Sequence, residues 1–186
     1  MKHYPTLLLA LLLVSALESL SQPVYMTRNG KISFFSKTPL ENIDAVNNEV
    51  FSALNTEKGD MAFSLSVKAF HFERSLMEEH FNENYMESEK FPKSTFSGKI
   101  DKLADVHFDK EGKYTVTVTG DLTIHGVTKR VTVPGSLNVE KGKIEATAAF
   151  QIKPDDYGIK IPTIVIEKIA EVIDVSINCH YEPKSK

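Results

Sequence analysis

Apolar and polar residues alternate almost without error through YTVTVTGDLTI. Tyr114, Val116, Val118, Leu122 and Ile124 share one parity; Thr115, Thr117, Thr119, Asp121 and Thr123 share the other. Successive strand side chains point to opposite faces, so this pattern predicts a strand with one buried face. One further step puts His125 on the polar side, as a rim residue, before Gly126 interrupts the run. The next strand resumes with Val127, Val131 and Val133 opposing Thr128, Arg130 and Thr132. The same alternation runs through Ile144, Ala146, Ala148, Phe150 and Ile152, and through Ile173, Val175, Ile177, Cys179 and Tyr181. Earlier in the chain it joins Met61, Phe63, Leu65 and Val67, and then Phe96 and Ile100.

Turn signals separate these runs at Asn29-Gly30, 57–60, 109–112 and 140–142. Antiparallel strands joined by short hairpins predict an all-β chain, folded as a sandwich or a closed barrel. One segment departs from the pattern, ERSLMEEHFNENYMESEKFP. Ser75 and Glu78 have the spacing of a capping box, and Leu76, Met77, His80 and Phe81 fall on one face of a short helix. Pro92 ends the excursion, and the apolar helix face must cover something.

The first residues follow a different logic. A basic start at Lys2 and an apolar run from Leu7 to Val14 form a signal-peptide pattern, with small residues Ser19 and Ser21 placing cleavage before Gln22. That run is short of the roughly 20 residues of a membrane span. Residues 1–21 are therefore expected to be removed, leaving 22–186 as one domain with no linker or internal repeat. The expected location is the bacterial periplasm or exterior, since no Asn-x-Ser/Thr sequon occurs in the mature chain. No lipid anchor is expected, because no cysteine sits at the cleavage point. The single cysteine, Cys179, excludes an intramolecular disulfide. A net charge of -3 without a basic stretch argues against nucleic acid and anionic membrane surfaces as partners.

Catalytic signals are sparse. There is no GxSxG elbow and no phosphate-binding glycine loop, and Cys179 has the parity of a buried small hydrophobe. His71, His80, His107, His125 and His180 show neither HxH nor HxxxH spacing, so no metal is expected. Glu78-Glu79 and Asp155-Asp156 read as solvated surface. The apolar faces carry no acid or base suited to proton transfer, so neither a catalytic residue nor a cofactor is expected. A barrel of about eight strands is either filled by side chains or holds one apolar ligand, and alternation alone does not choose. An outer-membrane barrel alternates too, with its apolar face outward. The absence of Trp, the helix and the charged end YEPKSK speak against stable membrane insertion.

Three blocks resemble the YceI-like family: GDLTIHGVTKRVTVPG, FNENYMESEKFPKSTFSGKI and KPDDYGIKIP, in the expected order after VYMTRNGKISFFS. The resemblance implies a lipocalin-like antiparallel barrel, exported, that binds a long apolar chain of polyisoprenoid or fatty acyl type, with no catalytic residues. In the third block the family commonly has Arg where Pro154 stands and Phe where Tyr157 stands. Under this reading Phe63, Leu65, Val67, Phe96, Ile100, Val116, Val118, Leu122, Ile124, Phe150, Val175 and Ile177 line the lumen. Leu76, Met77, Phe81 and Tyr85 act as its cover. Replacement of His125 by Ala is then expected to leave ligand uptake nearly unchanged. The rival reading is a stress-response or interaction module with a solid barrel, using His125, Lys129 and Arg130 as surface contacts. An enzyme built on His125 ranks below both. An open sheet edge could support a homodimer, but no stretch demands one.

Overall fold

A computed structural model describes residues 23–184; the expected leader, 1–21, lies outside the described residues. The strands are β1 (Val24–Lys37), β2 (Asn42–Asn55), β3 (Asp60–Ser66), β4 (His71–Phe72), β5 (Lys93–Ile100), β6 (Gly112–Ile124), β7 (Val127–Glu140), β8 (Lys143–Ile152) and β9 (Ile173–Pro183). All pairings are antiparallel, in the order β1-β9-β8-β7-β6-β5-β3-β2, and β2 pairs back onto β1. Eight strands thus close a barrel, while the two-residue β4 adds to β2 at Ala45 and Val46. One short helix, α1 (Ser75–His80), continues into a π-helical turn, Phe81–Tyr85. The upper end of the barrel carries the turn 38–41, the segment 67–92, the His125-Gly126 turn and the connection 153–172. The lower end carries 56–59, 101–111, 141–142 and the two ends of the described stretch, residues 23 and 184.

Two hairpins show why their residues turn. His125 (φ 50°) and Gly126 (φ 75°) are the two central residues of a tight hairpin, as are Lys141 (φ 45°) and Gly142 (φ 78°). A two-residue hairpin with positive φ at both positions matches the strand twist, which ordinary turns do not. His125 is therefore a corner residue, and parity extended one step too far in placing it on the polar face. Asn29-Gly30 does not turn the chain. β1 runs through it, with shifts in register around Gly30 on the β2 side. A Cβ at Gly30 would lie 2.6 Å from Cys179 Sγ, so the glycine admits a bulge against a packed wall.

The capping box is likewise not formed. Arg74 occupies the position before α1, and Glu78 Oε2 accepts a hydrogen bond from the Phe72 backbone N–H at 3.2 Å. Glu78 thus ties the helix to β4 instead of closing its own first turn.

The lower half of the barrel is solid. Tyr25, Leu54, Ile100, Val139, Ile144 and Tyr181 are buried together, and Leu103 and Phe108 from 101–111 pack beneath them. Tyr181 Oη lies 2.6 Å from Ser52 Oγ, which donates to the Ala62 carbonyl at 2.9 Å, so the buried hydroxyls are satisfied.

Candidate functional site

The upper half is hollow. The β7–β8 ladder runs from Glu140–Lys143 only as far as Gly135–Ala148, while β6–β7 continues to Ile124–Val127 and β8–β9 to Ile152–Ile173. Above Gly135 and Ala148 the two strands are not paired with each other. The connection 153–172 enters here, packing Tyr157 and Ile159 against Leu122, Ile124, Val127 and Ile152.

Within this space is a cavity of about 530 Å³, inside the roughly 300–1,000 Å³ of small-molecule sites. Phe63, Leu65, Phe96, Val116, Val118, Leu122, Ile124, Phe150, Val175 and Ile177 line it, with Leu76, Met77, Phe81 and Tyr85 over the top. Two expected residues do not. Ile100 is 2% exposed in the solid lower core. Val67, 1% exposed, lies in the short 3₁₀ turn after β3, packed with Met86, Tyr157 and Ile159. Alternation gave Ile100 the correct face but not its height along the barrel, and it was carried one residue past the end of β3 in placing Val67.

Other lining residues went unread in the sequence. Ile32, Phe34 and Ile43 come from β1 and β2, whose alternation is broken by the bulge. Pro154, Ile159, Ile161, Val165 and Ile169 come from the β8–β9 connection, which has no strand period to reveal its inward side. Pro154 is buried at the start of a 3₁₀ turn, and its neighbour Lys153 pairs outward with Glu171 at 3.2 Å. Tyr157 is 3% exposed, and burial raises its phenol above the ordinary value.

The cover is held by aromatic contacts. Phe34 lies 5.3 Å from Phe70, 5.8 Å from Phe72 and 5.5 Å from Phe81, ring centre to ring centre. Phe81 is 5.0 Å from Phe72. These separations suit edge and offset stacking, and they dock the α1 segment onto β1 and β4. His125 holds the other side of the cover. Its Nε2 lies 2.8 Å from Glu87 Oε2, its Nδ1 lies 3.3 Å from the Tyr157 carbonyl, and its ring meets Phe91 at 4.4 Å. With a side chain only 10% exposed, His125 is a clasp between 81–92 and 153–158. This replaces the expectation of a solvated rim contact.

Charge is confined to the mouth. Glu41 and Arg74 form an ion pair there, with the exposed residues His80 and Lys168 also in the lining, and the remaining lining is almost wholly apolar. Burial raises the Tyr85 phenol above its ordinary value. Cys179 is buried in the lower core, where loss of solvation pushes its thiol up to about 11, the wrong direction for a nucleophile. Among the described residues no group of three or more His, Cys, Asp or Glu is placed to hold a metal, and no helix is long and apolar enough to cross a membrane.

Residues 25–181 match the family model described as a YceI-like domain. Among solved structures, a polyisoprenoid binding domain from Saccharophagus degradans superposes with a TM-score of 0.76 at 14% identity, covering 88% of this chain and 99% of that one. BcnA of Burkholderia cenocepacia superposes at 0.61 with 17% identity, over 82% of this chain and 95% of its own. The YceI protein of Campylobacter jejuni does so at 0.56 with 21% identity, over 71% and 78%. At these identities the likeness carries the fold. No curated protein matches.

Proposed function

Because the chain belongs to the YceI-like family, as the match over 25–181 establishes, we propose that it is an exported carrier or sequestering protein for a long apolar chain of polyisoprenoid or fatty acyl type, held in the upper barrel. The observation that carries this reading is the hollow half-barrel: a cavity of about 530 Å³ walled by aliphatic and aromatic side chains, with ionisable groups only at its mouth. Burial of apolar ligand surface is worth roughly 25 cal/mol per Å², so such a wall binds hydrocarbon without a charged partner. A polar headgroup would be left at the mouth, beside Tyr85, His80 and Arg74. The Saccharophagus degradans domain, described as polyisoprenoid binding, supports the ligand class.

Native mass spectrometry and lipid extraction of protein purified from its own host test this reading. Copurification of a prenyl or acyl lipid is expected; protein that carries none and takes up neither chain type in vitro would overturn it. Export is tested by amino-terminal sequencing of the mature protein, which is expected to begin at Gln22.

A further inference from the structure

Five large apolar side chains are exposed among the described residues: Phe35 (36%), Leu40 (63%), Leu76 (59%), Ile164 (89%) and Ile166 (55%). Single exposed hydrophobes are ordinary and need no account. These, however, share the upper end of the barrel. Leu76 itself lines the cavity, Leu40 adjoins the lining residue Glu41, and Ile164 and Ile166 flank the lining residue Val165. Three segments remote in sequence thus each place large apolar groups around one opening. They are fastened to one another: Arg74 before α1 pairs with Glu41 of the 38–41 turn, and the Ala170 N–H donates to Ser36 Oγ at 2.8 Å. The charges beside them are of both signs, with Glu41 against Arg74 and Glu167 next to Lys168.

We propose that this apolar ring is a membrane-docking surface, which seats the barrel mouth in the boundary between headgroups and acyl chains so that ligand passes between bilayer and cavity without crossing water. The inference rests on the lipid-binding reading above. The occupant is a bilayer because all three segments line the cavity themselves or adjoin residues that do, and an apolar chain leaving that opening into water loses about 0.8 kcal/mol per methylene. Side chains inserted only into the interface, as amphipathic surfaces are, give reversible contact without a spanning segment. The mixed charge of the rim makes the attraction apolar in origin and indifferent to anionic lipid.

The test uses two independent sets of substitutions at positions that do not line the cavity, Ile164→Asp with Ile166→Asp, and Leu40→Asp. Cosedimentation of the protein with phosphatidylcholine vesicles is measured first. Wild type is expected to sediment with the vesicles, with a change under about twofold between roughly 0.05 and 0.5 M salt, and the Ile164→Asp/Ile166→Asp protein to bind about tenfold more weakly. Wild type left in the supernatant, or the double variant bound as wild type, overturns the proposal. A concentration-dependent dimer that the same substitutions abolish would assign the ring to a second copy and overturn it as well. Transfer of a fluorescent prenyl probe from loaded protein to the vesicles is measured next. Its rate is expected to rise in proportion to vesicle concentration and to fall in both variants, whose uptake of probe from dilute solution stays unchanged. A transfer rate independent of vesicle concentration overturns the proposal. Failure of wild type to take up probe from solution would instead count against the lipid-binding reading, while cosedimentation still decides docking.

Discussion

His125 separates two constraints that meet at one residue. Its φ of 50° is a backbone demand, and its contacts with Glu87, Tyr157 and Phe91 are side-chain demands. Asn adopts the left-handed region more readily than Ala, which is penalised there by about 1–2 kcal/mol. Both His125→Asn and His125→Ala lose the clasp, at about 1–3 kcal/mol, but Ala should be the less stable of the two in urea unfolding. Equal stabilities would mean that the turn geometry is not a constraint. Loosening 81–92 should also quicken proteolysis of the cover in both variants. Parity alone could not reveal this role, since alternation describes strand faces and says nothing of a residue whose φ leaves the strand. Cys179 was legible, because its inward parity in β9 stated its burial outright. With the thiol pushed up to about 11 from 9.0, chiefly by desolvation, the folded state holds its proton more tightly than the unfolded chain. Stability from this group is therefore intact below pH 9 and is lost as pH rises towards 11. That loss is about 2–3 kcal/mol. Urea midpoints at pH 8 and 10.5 should show it, and Cys179→Ala should reduce the difference; an unchanged midpoint in wild type would contradict it. The same burial should leave Cys179 unalkylated in native protein at pH 8.

At the scale of elements, the β5–β6 pair shows how a regular ladder makes room for a large ring. Gly98 and Gly120 face each other across the two strands, and Phe96 lies over both. A Cβ on Gly120 would meet Gly98 Cα at 2.4 Å, the Ser97 carbonyl at 2.5 Å and Phe96 Cζ at 2.6 Å. Two of these obstacles are backbone, so the strands themselves must shift. Gly120→Ala is expected to cost about 1–3 kcal/mol and to drive Phe96 into the cavity, lowering both the unfolding midpoint and ligand uptake. Retention of wild-type stability would show that the pair is not close-packed in solution. Strands such as β6, β8 and β9 were legible because one face is buried along their length, which forces period two. β1 and β2 were not, because the bulge at Gly30 reverses the inward parity partway. The short helix was legible from its apolar stripe, but its capping was misread, since Glu78 finds a better donor in β4 than in its own first turn.

On the scale of the molecule, the barrel is two compartments sharing one wall. The lower is filled by buried side chains and closed by 101–111, and the upper is held open where β7 and β8 part. A solid core and a ligand lumen looked like rival readings of the same alternation, yet the fold contains both, divided by height. Strand patterning could not show this, because neither the end of the β7–β8 ladder nor the course of 153–172 leaves a periodic trace. The division can be tested by substituting each compartment in turn. Ala148 lines the cavity on β8, at the last pair of the β7–β8 ladder. Ala148→Phe should place a ring in the upper space, lowering probe uptake about tenfold with a stability change under about 1.5 kcal/mol, because the added volume enters a void and not a packed core. Ile144, 2% exposed, belongs to the lower core and not to the cavity lining. Ile144→Ala should lower stability by about 2–5 kcal/mol and leave probe affinity unchanged under conditions where the variant is folded. The paired outcomes separate the compartments, since overall loosening of the barrel would impair uptake and stability together in both proteins. If Ala148→Phe instead bound probe as wild type does, the apolar chain would have to reside outside the hollow half, and the lipid-carrier reading would lose its site.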